Sequence, residues 1–173
     1  MAHNNKTWYE KAVFYHMYPL GMTGAPKQNI ETEAESRFGE LNLWIPHIKS
    51  LNCSAVYIGP LFESSTHGYD TRDYKLVDRR LGTNDDFRTF VRLCHEQEIR
   101  VVVDGVFNHT GRDFFAFRDI CENRESSPYR NWYRGLKARR ELHPAGCVPD
   151  LAVRYFLSNA SPYMLQYQLL SQQ

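Results

Sequence analysis

The chain has 173 residues, 42% of them hydrophobic and 24% charged, a balance that suits one globular domain with a buried core. A formal net charge of +1 gives no electrostatic ground for a nucleic-acid or anionic-membrane partner, and no apolar run approaches the roughly 20 residues that span a bilayer. The polar segment Met1 to Glu10 lacks the apolar centre of a signal peptide, so the expectation is an intracellular, cytoplasmic protein.

In chain order, Ala12 to Tyr18 is rich in strand formers and is closed by Pro19 and Gly21, which predicts a first strand. Gly24 to Glu35 reads as a polar loop. Leu41, Trp44, Ile45, Ile48 and Leu51 recur at helical spacing and predict an amphipathic helix over Gly39 to Leu51. Pro46 either kinks that helix or occupies the first turn of a helix that starts later. Ala55 to Ile58 is a second strand, closed by Gly59 and Pro60, and Leu61 to Leu81 reads as one long polar and aromatic connection. Thr83 to Asp86 has the form of a capping box, and Phe87, Phe90, Val91 and Cys94 continue a second helix to about Glu98.

The β-branched run that follows predicts a third strand, Ile99 to Phe107, buried on both faces. Strand, helix, strand, helix, strand with short returns implies a parallel α/β sheet with right-handed crossovers. Arg112 to Leu136 is aromatic and charged with weak periodicity and reads as an excursion from that sheet. From Lys137 onward no helix and fourth buried strand can be recognised. Val153 to Leu157 is the best remaining apolar run, and Gln166 to Gln173 has the look of a frayed end. Cys53, Cys94, Cys121 and Cys147 are too far apart for a metal-binding pair; Cys53 and Cys94 sit inside apolar patterns as small hydrophobes.

The chemistry-bearing residues gather after the second and third predicted strands. Asp104, Asn108 and His109 stand on or just past the third strand, where α/β barrels place their active sites. Two readings of them stand level: a site at a barrel mouth, or Asx residues that only tie down the next loop. His67, Gly68, Tyr69 and Asp70 follow the second strand. Tyr69 beside a glycine offers an open ring face for a sugar, although by itself the group also reads as a turn with an aromatic plug. Asp70, Asp73, Asp78, Asp85 and Asp86 fit no EF-hand spacing, and Arg79-Arg80 reads as a solvated face.

Taken together, these segments resemble the α-amylase family of glycoside hydrolases over about Trp8 to Leu136. Tyr15 to Pro19 and Ala55 to Pro60 look like its first two strands. His67 to Asp70, Asp73-Tyr74, Gly82-Thr83 and Asp86-Phe87 look like its approach to the second helix. Asp104 to His109 looks like its Asp-x-x-x-Asn-His signature. The resemblance implies a partial (β/α)8 TIM barrel: about three strand-helix units plus part of the excursion after the third strand. Residues 1–136 would belong to that catalytic domain, and 137–173 would form an unassigned tail, foreign in character, as a shifted reading frame would produce.

By the same resemblance the substrate is an α-glucan or maltooligosaccharide. His109 would hydrogen-bond the sugar, Tyr69 would stack on it with His67 and Asp70 alongside, and Asp104 would support the site from below. No cofactor is required, and Asn108 matches a position that binds a structural Ca²⁺ in many members. Retention of configuration needs a nucleophile and an acid/base about 5–5.5 Å apart. The family carries these as an Asp after the fourth strand and a Glu after the fifth, with a third Asp after the seventh; none of these motifs is found here. The expected function is therefore that of part of a retaining α-glucosidic-bond hydrolase or transglycosylase, inactive alone. Unpaired sheet edges would favour self-association. The alternative is a non-catalytic sugar-binding or assembly module that pairs with another chain.

Overall fold

A computed structural model describes residues 7–30 and 33–133. In chain order the strands are β1 (Phe14–Met17), β2 (Ala55–Ile58), β3 (Phe62–Ser64), β4 (Thr71–Val77) and β5 (Arg100–Val103). The helices are α1 (Pro19–Met22), α2 (Phe38–Asn42), α3 (Ile45–Ser50), α4 (Asn84–Glu96) and α5 (Phe115–Asn123). Single 3-10 turns occupy Trp8–Lys11, Arg124–Ser126 and Arg130–Trp132.

β1, β2 and β5 form one parallel sheet in that order, with Phe14, Ala55 and Arg100 in one row and His16, Tyr57 and Val102 two rows on. Side chains alternate along a strand. Tyr15, Met17, Val56, Ile58, Val101 and Val103 therefore share one face, and all of them join the main core. The helices supply the other half of that core. Phe38 and Leu41 of α2, Ile45 and Ile48 of α3, and Phe87, Phe90, Val91 and Cys94 of α4 are buried against the sheet. Phe38 meets Phe87 and Phe90, each with ring centroids 5.9 Å apart. Burying each such side chain is worth about 1.5–3 kcal/mol, so these helices owe their stability to the shared apolar face more than to propensity. Burial also pushes the Cys94 thiol up to about 12, which keeps it protonated and inert in its packing role.

α4 begins where its capping box predicts. The Asp86 N–H donates to Thr83 Oγ1 at 3.2 Å, and the Asp86 carboxylate accepts the Thr83 N–H at 2.8 Å. The helix expected over Gly39 to Leu51 is instead two short ones. α2 ends at Asn42 and α3 restarts at Ile45, with Pro46 in its first turn, where a missing N–H costs nothing. The third parallel strand is shorter than expected: it stops at Val103, and Phe107 and Asn108 form a turn.

The connection from Leu61 to Leu81 is not the irregular loop its composition suggests. β3 and β4 pair antiparallel within it, with register shifts on either side of Glu63. Nor are Arg79 and Arg80 a solvated pair. Arg80 is 5% exposed and forms a buried ion pair with Asp78, while Arg79 and Arg72 both bind the buried Glu63 carboxylate at 2.8 Å. A carboxylate and a guanidinium buried together satisfy each other, and removing either one alone strands a charge.

The excursion after β5 has its own small core, in which Phe114, Ala116, Phe117, Ile120 and Tyr133 are buried. Among the described residues no helix is long and apolar enough to cross a membrane. Residues 137–173, with Cys147 and the runs Val153 to Leu157 and Gln166 to Gln173, lie outside the described residues.

Candidate functional site

Because β1, β2 and β5 run parallel, their C-terminal ends reach the same edge of the sheet and deliver Tyr18, Gly59 and Asp104 there. The hydrogen-bond ladder continues one step past the strands: the Gly59 N–H donates to the Met17 carbonyl at 3.1 Å, and the Asp104 N–H to the Ile58 carbonyl at 2.7 Å. Gly59 is required by a close approach. A Cβ there would lie 2.7 Å from Asp104 Cβ and 2.9 Å from its Oδ2. The missing side chain is what lets Asp104 lie across the end of β2.

Asp104 Oδ1 accepts the Val106 N–H at 3.2 Å, which closes the turn toward Asn108 and His109. Its carboxylate also neighbours the Tyr57 hydroxyl. Partial burial, then the Asp104 charge and a hydrogen bond from the hydroxyl to it, raise the Tyr57 pKa and keep that group a donor. His16, one strand away, packs its ring on Tyr57 with centroids 5.2 Å apart. The sequence reading missed Tyr57 and His16. Their signal was the period-two alternation, which sets both on the sheet face opposite the helix-covered core.

The two loops that carry the expected sugar-binding residues are tied together. His109 Nε2 lies 2.9 Å from the Tyr69 carbonyl oxygen, which can only accept, so Nε2 carries the proton. Its Nδ1 lies 3.5 Å from the Asn108 amide nitrogen. A sugar hydroxyl approaching His109 would have to share or displace the bond to Tyr69. Gly111 locks the same junction: its N–H donates to the Thr71 carbonyl at 2.7 Å, and a Cβ there would meet the Asp70 carbonyl oxygen at 2.3 Å.

Tyr69 is 42% exposed, with its ring open to solvent as a stacking platform requires. His67 is exposed beside it with ring centroids 6.1 Å apart, and its Nδ1 accepts the Tyr69 N–H at 3.1 Å. The Tyr18 hydroxyl donates to the His67 carbonyl at 3.1 Å, joining the end of β1 to this loop. Asp70 is turned inward rather than toward a ligand: its Oδ2 accepts the Thr66 hydroxyl at 2.7 Å, and its Oδ1 lies 3.8 Å from His67 Nδ1. Tyr69 and His67 are thus exposed, while His109, Asp104 and Asp70 are each half-buried.

Asn108 is exposed and offers one amide oxygen. A Ca²⁺ ion takes about six to eight oxygen ligands. Among the described residues no group of three or more His, Cys, Asp or Glu side chains converges on a point.

Residues 39–163 match the family model described as Alpha amylase, catalytic domain. That match runs past residue 136 into the segment expected to be foreign. The chain is 34% identical over 142 residues to a cyclomaltodextrinase of a Bacillus species, an alignment covering 73% of this chain and 25% of that protein. It is 33% identical over 141 residues to a maltogenic alpha-amylase of Bacillus acidopullulyticus, covering 73% of this chain and 24% of the relative. Among solved structures it is similar to a cyclic alpha-maltosyl-(1→6)-maltose hydrolase of Arthrobacter globiformis in complex with maltose. The TM-score is 0.65 at 31% identity, over 81% of this chain and 37% of that one. The chain spans about a quarter of the length of the cyclomaltodextrinase and the maltogenic alpha-amylase.

Proposed function

Since the chain belongs to the alpha-amylase catalytic-domain family, we propose that it forms the first three strand-helix units, and part of the following excursion, of a (β/α)8 barrel. The barrel's reaction would be hydrolysis or transfer at α-glucosidic bonds of starch-derived oligosaccharides, with retention of configuration. The observation that carries this reading is the junction at the sheet's C-terminal edge. There Asp104 closes the turn that presents His109, and His109 is bonded to the backbone of the exposed Tyr69. Barrels of this kind hold their chemistry at that edge.

In this reading Tyr69 stacks on a sugar ring, His109 and His67 offer hydrogen bonds to its hydroxyls, and Asp104 and Asp70 hold those groups in place. Asn108 would offer its amide oxygen to a structural Ca²⁺. The two carboxylates that retention requires belong to later strands of such a barrel. The 173-residue chain alone therefore carries one wall of a sugar site and does not turn sugar over.

A second reading, a non-catalytic sugar-binding or assembly module, is favoured by one feature. The platform Tyr69 and its partners are fully positioned by residues within this chain. Calorimetric titration with maltose separates the two. A barrel part alone, offering one wall, gives no saturable heat. Saturable heat that Tyr69→Ala abolishes would overturn the first reading in favour of the module.

A further inference from the structure

We propose that Arg80 is a positioning residue for the Tyr69 platform, acting through the backbone of Thr66; this rests on the reading of residues 67–70 as a sugar-facing segment. Arg80 itself is buried and touches none of the exposed groups of that segment. A guanidinium has five N–H donors in a rigid fork, and here every one is used. Nε donates to Asp78 Oδ1 at 2.8 Å, and Nη2 donates to Asp78 Oδ2 at 2.7 Å and to Ser64 Oγ at 2.8 Å. Nη1 donates to the carbonyls of Pro26 at 2.8 Å and Thr66 at 2.6 Å. Asp78 in turn accepts the Ser64 N–H at 3.1 Å and hydroxyl at 2.8 Å.

The consequence lies in which segments these bonds join. Ser64 ends β3, Pro26 belongs to the loop after α1, and Thr66 opens the loop that carries His67, Tyr69 and Asp70. From Thr66 the constraint passes on. Its hydroxyl holds Asp70 at 2.7 Å, while the Ser65 carbonyl accepts the Asn29 N–H at 3.0 Å and the Ser65 N–H donates to the Asp70 carbonyl at 3.4 Å. Both ends of the segment 66–70 are thereby pinned, and the exposed ring between them has a fixed base. A buried guanidinium needs an acceptor for each N–H, and one of the acceptors Arg80 uses is the Thr66 carbonyl, which opens the loop that carries Tyr69.

Lysine at this position would keep a cation beside Asp78 but lose the planar fork that reaches Thr66 and Pro26 together. In amide hydrogen exchange of the full 173-residue chain, Arg80→Lys is expected to speed exchange at residues 64–70 by about tenfold or more, with β2, β5 and α4 unchanged. An even rise across the chain would mean that Arg80 serves global stability alone, and unchanged exchange at 64–70 would mean that it positions nothing. Either result overturns the proposal. Should Arg80→Lys fail to fold, Thr66→Ala cuts the link to Asp70 while leaving the ion pair whole. It is expected to loosen residues 67–70 selectively, and unaltered protection there would again overturn the proposal. These measurements need no ligand, so they decide the positioning role whichever way the maltose titration falls.

Discussion

Val106 has φ of 46°, in the left-handed region that a β-branched side chain seldom enters. Such a conformation persists only where its neighbours over-determine it. Here the Val106 N–H is held by Asp104, and its carbonyl oxygen lies 2.9 Å from the Tyr74 hydroxyl, which stands equally 2.9 Å from the His109 carbonyl. Burial raises the Tyr74 pKa well above its ordinary value, so the hydroxyl stays protonated and remains the donor shared by both carbonyls. Tyr74→Phe is expected to cost about 1–3 kcal/mol in urea unfolding, because two carbonyls lose that donor; an unchanged midpoint would contradict this. Gly59→Ala is expected to cost a similar amount, about 1–3 kcal/mol, by forcing Asp104 off the end of β2. Its check is the same unfolding curve, where wild-type stability would show that the approach is not tight.

At the scale of elements, α4 depends on its N-terminal cap. The Asp86 carboxyl is held below the ordinary carboxylate range by the Thr83 N–H first, then the Thr83 hydroxyl and that of Ser36, against a small opposing effect of burial. A depressed native pKa adds stability that is present above the unfolded value of about 3.9 and is lost as pH falls through the native one. Asp86→Ala is thus expected to lower stability by about 1 kcal/mol at neutral pH. The gap to wild type should close as the solution is acidified below about pH 4, measured by thermal melts over a pH series; a gap constant with pH would contradict the charge-based account.

The Thr83–Asp86 box was legible in the sequence because its two members lie three positions apart, whereas Ser36, 50 positions from Asp86, was not. The three parallel strands and Asp104 were legible for a similar reason, since a β-branched run followed by polar residues is a local pattern. The hairpin of β3 and β4 was not. β4 carries Arg72, Asp73 and Lys75, which read as loop until Glu63, nine positions earlier on the paired strand, supplies the charge that buries Arg72. Arg80 reads as solvated when taken locally, because Pro26, Ser64 and Thr66 reach it from 54, 16 and 14 positions away. The break between α2 and α3 was half visible, in Pro46.

For the whole molecule, the described sheet has β1 and β5 at its edges, and the face bearing Phe14, His16, Tyr57 and Val102 lies opposite the helix-packed core. Phe14 is 43% exposed there and Trp8, which packs against it, 42%. Unpaired edges and an open aromatic face favour association. Light scattering is expected to show oligomers that grow with concentration, and a sharp monomer with a cooperative melt would contradict that. The central claim is that this chain supplies a sugar-facing wall of an α-amylase-type site while the bond-breaking carboxylates belong to later strands. The direct test is to incubate the purified chain with a chromogenic maltooligosaccharide and follow release of the chromophore. The account predicts none above a blank protein preparation, and sustained turnover would contradict it.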